Sequence, residues 1–222
     1  MKSLLIVAGP TASGKTAVCL EIAKKIPVET LSFDSMQVYQ GMPVVTQAPR
    51  ASEKKALRAH LVTFLKPSET FDAARFRNEA MKQIEGTFKR GRTPLLSGGT
   101  GLYLRALLDG LFESDGASAD RTLRDKWLAE QEKKGGSHLH DRLKKVDPAT
   151  SVKIHPNDLR RIVRALEVHA LSGRPISERK LERRGIREDF HCPVFFLDRD
   201  RQDLYARIDR RVEAMLDVGR VS

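Results

Sequence analysis

Gly9-Pro10-Thr11-Ala12-Ser13-Gly14-Lys15-Thr16 is a complete Gly-x-x-x-x-Gly-Lys-Thr run. Ahead of it stands the apolar stretch Leu4-Leu5-Ile6-Val7-Ala8, and behind it a segment with helical spacing. A buried strand that passes through a glycine-rich turn into a helix gathers backbone N–H groups and the positive end of a helix dipole at one point, which binds phosphate. Lys15 would reach the phosphate oxygens, and the Thr16 hydroxyl would help hold Mg²⁺. An ordinary glycine turn needs neither the strand nor the helix, so context and residues together predict a site for a phosphorylated ligand.

Outward from that loop, Val18, Ile22 and Ile26 fall on one side of a helix that Pro27 stops. Val28 to Phe33 alternates and is β-branched, a second strand that delivers Asp34 to the carboxyl edge of a parallel sheet, where open α/β folds bind ligands. Residues 36–42 read as a loop or short helix, Ser52 to Ala59 as a short charged helix, and His60 to Leu65 as a short strand. Phe76, Ala80, Ile84 and Phe88 recur every fourth residue, predicting an amphipathic helix over 72–90. Pro94 to Ser97 is a buried strand, and Gly98-Gly99-Thr100-Gly101 a second glycine turn into a helix over 102–109. Two strand–turn–helix units at one sheet edge suit a cleft of nucleotide or pyrophosphate type.

From Ser114 to Cys192 strand signals vanish and charged helical segments replace them, with Trp127, Leu128, Leu139 and Leu143 available for a small core. Pro156-Asn157-Asp158 opens a helix with an apolar stripe of Leu159, Ile162 or Val163, Leu166 and Ala170; Arg160, Arg161 and Arg164 lie off that stripe on an exposed face. Val194 to Asp198 returns to strand character before a final helix starting near Gln202. The expected fold is therefore α/β, a P-loop-type parallel sheet flanked by helices with a mostly helical insertion. Its parts are a core over 1–113, a helical insertion over 114–190 and a return to the core over 191–222.

The 222 residues carry a net charge of +11, and nine Lys and Arg against four Asp and Glu between His155 and Arg187 concentrate a surplus of five there. That patch points to a polyanionic partner. Cys19 and Cys192 form no Cys-x-x-Cys pair, which excludes a disulfide framework and a cysteine zinc site and fits reducing cytosol. No run approaches the roughly 18 apolar residues of a membrane span, and the run at 3–8 is too short for a secretory signal.

Several stretches, taken together, resemble the tRNA dimethylallyltransferase (tRNA isopentenyltransferase) family. They are the loop at 9–16, Asp34-Ser35-Met36-Gln37-Val38-Tyr39-Gln40-Gly41-Met42, Gly98-Gly99-Thr100-Gly101-Leu102-Tyr103, and His155-Pro156-Asn157-Asp158 with Arg160, Arg161 and Arg164-Ala165-Leu166-Glu167. Leu204-Tyr205-Ala206-Arg207-Ile208 leading to Arg211 completes the set, and the pieces occur in the family's order. The resemblance implies transfer of a dimethylallyl group from dimethylallyl diphosphate to the exocyclic amine of the adenosine 3′-adjacent to the anticodon in tRNA. It implies catalytic roles for Asp34, Thr100, Lys15 and Arg211, and diphosphate or nucleotide binding by Gly9, Pro10, Thr11, Ala12, Ser13, Gly14, Lys15 and Thr16. It also implies tRNA contacts from Asp34, Ser35, Met36, Gln37, Thr100, Arg124, Asp158, Arg160, Arg161 and Arg164. Mg²⁺ near Thr16, a tRNA anticodon loop as partner, no membrane, and a cytoplasmic monomer complete the expectation.

Read without the resemblance, Asp34 fits a Mg²⁺-holding acid as well as a general base, and Asp198 has the same look. Thr100 fits a helix cap. Arg207 and Arg211 fit a solvated face or ion pairs with Asp203 and Asp209. A P-loop nucleotide or metabolite kinase and a catalytically incomplete tRNA-binding fragment are the rival functions. The chain departs from the family at Val45-Thr46-Gln47-Ala48-Pro49, where a Gly-Thr-Ala-Lys-Pro run is usual, and relatives carry further helices beyond the position of Gly219.

Overall fold

The computed structural model describes residues 1–42, 44–111, 121–179, 181 and 183–217. These form two compact units, one of residues 1–109 with 185–222 and one of residues 110–184.

The first unit holds four parallel strands, β1 (Leu5–Ala8), β2 (Val28–Ser32), β3 (Thr93–Gly98) and β4 (Val194–Phe196), in the order β2-β3-β1-β4. Between them run α1 (Lys15–Lys25), α2 (Ala51–Leu57), α3 (Ala73–Lys89) and α4 (Gly101–Leu108), and α10 (Arg201–Asp217) follows β4. The chain leaves β1 toward one side of the sheet and leaves β3 toward the other, so a crevice opens between the carboxyl ends of these neighbours. The central strands β1 and β3 are covered on both faces, whereas the edge strand β4 is exposed: Leu4, Ile6, Leu31, Leu96, Phe76, Ala80 and Ile84 pack in one cluster, and Val7, Cys19, Val28, Leu57 and Leu95 in another. Each of the Val, Leu, Ile and Phe side chains among them contributes about 1.5–3 kcal/mol by leaving water. The four-residue spacing read from the sequence emerges as α3, with Asp72 capping it by accepting the Arg75 N–H at 2.8 Å.

The strand expected over His60 to Leu65 does not form. Leu61 and Thr63 stand at φ 59° and 49°, left-handed values that break an extended ladder, and only isolated bridges join Leu31 to His60 and Tyr39 to Leu65. The turn drops Leu61 and Leu65 into the core, which offsets the cost of the strained backbone. Ile186 and Phe190 also pack in this unit.

In the second unit, α5 (Arg121–Lys134), α6 (His138–Val146), α7 (Pro148–Ser151), α8 (Leu159–Ser172) and α9 (Ile176–Arg179) surround Trp127, Leu139, Leu143, Ile162, Val163 and Leu166. No strand occurs there among the described residues. Two expectations need correcting. Leu128 faces water, and Ala170 is exposed because the buried side of α8 is centred on Ile162, Ala165 and Leu166.

Candidate active site

All four parallel strands end at one edge of the sheet, and the predicted residues of the first unit stand there. β1 runs into the glycine loop, β2 into Asp34, β3 into Thr100 and β4 into Arg199. The approach is close enough to require glycine at two positions. A Cβ on Gly98 would lie 2.7 Å from the Phe33 backbone, and one on Gly9, itself at φ +152°, 2.8 Å from the Leu197 carbonyl oxygen.

The loop's conformation is fixed by cations on its carbonyl oxygens. Lys15 Nζ donates to Gly9 and Pro10 at 3.0 and 2.8 Å, Arg207 Nε to Ala12 at 2.8 Å, and Arg199 Nε to Ser13 at 2.8 Å. α1 then begins after Gly14, an N-cap at φ +102° that has no side chain to offer, so the first helical N–H groups have no side-chain cap. Thr16 lies in that first turn and, with Lys15, Cys19, Ser32, Gln37 and Ser97, lines a cavity of about 50 Å³. Burial lowers the pKa of the Lys15 ammonium; the nearby Asp34 carboxylate opposes that shift and Arg211 adds to it. Arg211, half-buried on α10, is likewise pushed down by burial, with Glu53 pulling the other way. Lys15, Asp34 and Arg211 therefore share one electrostatic neighbourhood.

Asp34 is held by its own turn, Oδ1 accepting the Met36 N–H at 2.9 Å. Thr100 begins α4 but its hydroxyl does not cap that helix. It accepts the Ser35 N–H at 3.0 Å and donates to Ser35 Oγ at 3.3 Å, tying the Asp34 segment to the end of β3. Gln37 accepts from the Ser32 hydroxyl and donates to the Gln47 carbonyl, while Met36 is exposed. The backbone on either side of the Asp34 carboxylate is thus held, Asp34 N–H donating to the Ser32 hydroxyl that Gln37 accepts from, and Ser35 bonded to Thr100.

The expected tRNA-facing residues of the second unit divide in two. Arg160 and Arg161 are exposed on α8, and Asp158 caps that helix by accepting the Arg161 N–H at 3.2 Å. Arg164 is not part of a freely exposed face: it donates to Glu167 at 2.6 Å, and Arg124 donates to the same carboxylate through Nε and Nη2, both at 2.8 Å. Glu167 is fully buried. Burial alone would raise the pKa of its carboxyl group, yet the two arginines hold it below the usual carboxylate range. A glutamate on the apolar side of α8, three residues from Arg164, was the signal for this cluster.

Arg207 does not pair with Asp203, contrary to one of the two ordinary readings; Asp203 holds Arg199 instead, at 2.8 Å. Arg199 is the site residue that sequence reasoning missed, since only the return of β4 beside β1 brings it to the loop. Both cysteines are free thiols, and no group of three His, Cys, Asp or Glu suited to a metal occurs among the described residues. No helix among them is long and apolar enough to cross a membrane.

Comparison with known proteins matches residues 37–222 to a family described as IPP transferase. The tRNA dimethylallyltransferase of Acetivibrio thermocellus is 39% identical over 221 residues, covering 100% of this chain and 70% of that protein. That of Anaeromyxobacter dehalogenans is 46% identical over 217 residues, 97% of this chain and 71% of its own length. Among solved structures, a eukaryotic dimethylallyltransferase acting on tRNA superposes with a TM-score of 0.83 at 31% identity, covering 100% of this chain and 54% of its own. The full-length tRNA isopentenylpyrophosphate transferase of Bacillus halodurans gives 0.64 at 37% identity, covering 99% and 67%.

Proposed function

The chain belongs to the IPP transferase family, and on that premise we propose that it transfers a dimethylallyl group from dimethylallyl diphosphate to the exocyclic amine of the adenosine 3′-adjacent to the tRNA anticodon, releasing diphosphate. One observation carries the reading: a phosphate-type loop and a turn-anchored carboxylate, Asp34, stand at the same sheet edge and share an electrostatic neighbourhood with Lys15.

Cleavage of the carbon–oxygen bond puts negative charge on the departing diphosphate, which preorganised donors and cations must meet. The loop N–H groups, Lys15 and Arg211 are the donors for it. As the new carbon–nitrogen bond forms, the amine must lose a proton, and Asp34 takes it. Its Oδ1 is occupied by the Met36 N–H, so Oδ2 is the oxygen we assign to the proton. Thr100 supports this base through Ser35 rather than by touching the proton. The adenine must leave its stack to reach such an edge, as base-modifying enzymes generally require.

Mg²⁺ fits the donors at the loop: Thr16 stands in the first turn of α1, and no cluster of three His, Cys, Asp or Glu occurs among the described residues, which suits an ion bound mainly through diphosphate and water. When bound, the ion would neutralise diphosphate charge. We assign the second unit, with Arg160 and Arg161, to phosphates of the tRNA. The free thiols suit a reducing cytoplasm, and we take the enzyme to act as a monomer.

Incubation with Mg²⁺, labelled dimethylallyl diphosphate and unmodified tRNA should place label on an anticodon-loop adenosine. Label moving instead from ATP to a small metabolite would make the chain a kinase. Asp34→Asn should lower the transfer rate about 10²–10⁴-fold with tRNA affinity retained; unimpaired turnover would remove Asp34 from the base role.

A further inference from the structure

Arg199 has no part in the function described so far, yet it grips the phosphate loop. Its Nε donates to the Ser13 carbonyl oxygen at 2.8 Å. In a trans peptide the C=O and the following N–H point in opposite directions. The Ser13 carbonyl shares its plane with the Gly14 N–H, so holding the oxygen on Arg199 turns that N–H to the opposite face.

This peptide needs holding. Gly14 sits at φ +102°, and glycine accepts either sign of φ at little cost, so the plane between Ser13 and Gly14 could rotate. Rotation would present a carbonyl oxygen where an anion requires a donor. Arg199 is itself well fixed: Leu197 N–H donates to the Ala8 carbonyl at 2.8 Å, keeping the end of β4 beside the loop, and Nη1 donates to Asp203 Oδ2 at 2.8 Å. Asp203 also balances the guanidinium charge, so the influence of Arg199 is geometric more than electrostatic.

We propose that Arg199 is a positioning residue that keeps the Gly14 N–H aimed at the diphosphate by pinning the Ser13–Gly14 peptide; this rests on the diphosphate reading of the loop. Glutamine is the informative replacement, because its Nε2 stands as many bonds from Cα as arginine Nε and keeps the donor without the charge. Titrating inorganic diphosphate with Mg²⁺ into the parent chain, Arg199→Ala and Arg199→Gln by calorimetry tests the idea, with the Gly14 amide followed by NMR. Arg199→Ala should bind about tenfold more weakly and lose the Gly14 amide shift, at unchanged tRNA affinity. Arg199→Gln should stay within about threefold of the parent and keep the shift. Parent-like binding by the alanine variant, or a glutamine variant as weak as alanine, overturns the proposal; should the alanine variant not fold, the glutamine affinity and the Gly14 shift decide alone. A parent chain that binds no diphosphate overturns the reading of the loop itself.

Discussion

Lys15 and Arg207 in the sheet-bearing unit rest on carbonyl oxygens, whereas Arg124 and Arg164 in the helical unit rest on the buried carboxylate of Glu167. A carbonyl orients a cation and leaves its charge intact; a carboxylate orients it and cancels charge as well. Four cations that look alike in a charge count are therefore two kinds. The first pair is available to an anionic ligand, and the second is largely committed to holding helices together.

The sharpest way to break this contrast is to remove one cation of each kind. Lys15→Ala should reduce the rate of dimethylallyl transfer about 10²–10³-fold, the effect of losing one preorganised donor to a developing anion. Arg124→Ala should leave the rate of folded enzyme within a few-fold. Single-turnover kinetics with excess enzyme would compare the two directly, and equal losses would erase the distinction.

Stability should show the reverse pattern. Glu167→Ala strands two guanidinium groups beside an apolar core and should cost about 2–4 kcal/mol, toward the lower end because each arginine is 38% exposed. Thermal melts would register it, and an unchanged melting temperature would mean that the cluster contributes no net stability.

A smaller effect concerns RNA. Arg160 and Arg161 have no buried carboxylate to answer, so replacing both with alanine should lower the dependence of log affinity for tRNA on log salt by about 2. The Arg124/Arg164 double variant should lower it by less than about 1. Filter binding across a salt series separates these outcomes.

The mildest prediction concerns Glu29, the buried acid of the sheet-bearing unit. Hydrogen bonds from Arg90 hold its carboxyl group at about 2, against burial and with help from His60. A depressed folded-state pKa stabilises above the unfolded value of about 4.3 and loses that contribution as pH falls toward 2. Melting temperature should therefore fall across this window, and Glu29→Gln should flatten the fall.

Much of the sheet-bearing unit was legible because its signals are local. A Gly-x-x-x-x-Gly-Lys-Thr run, an alternating strand ending in Asp34 and a Gly-Gly-Thr-Gly turn each state their backbone within a few residues. His60 to Leu65 misled for the same reason: it has strand composition, but the core wanted Leu61 and Leu65 in a turn. The Arg124–Glu167 pair spans 43 positions, and no periodicity links residues that far apart.

By itself, the sequence determined that a parallel α/β sheet carries a Gly-x-x-x-x-Gly-Lys-Thr loop, that Asp34 follows the second strand, and that a basic helical segment interrupts the sheet, since all three follow from short-range pattern. Only the tertiary structure decided which cations stay available and which are spent. That depends on the acceptor each side chain meets: Arg199 and Arg207 meet a loop nearly two hundred residues away in sequence. Proximity of that kind is created by strand pairing and packing, not by neighbours along the chain.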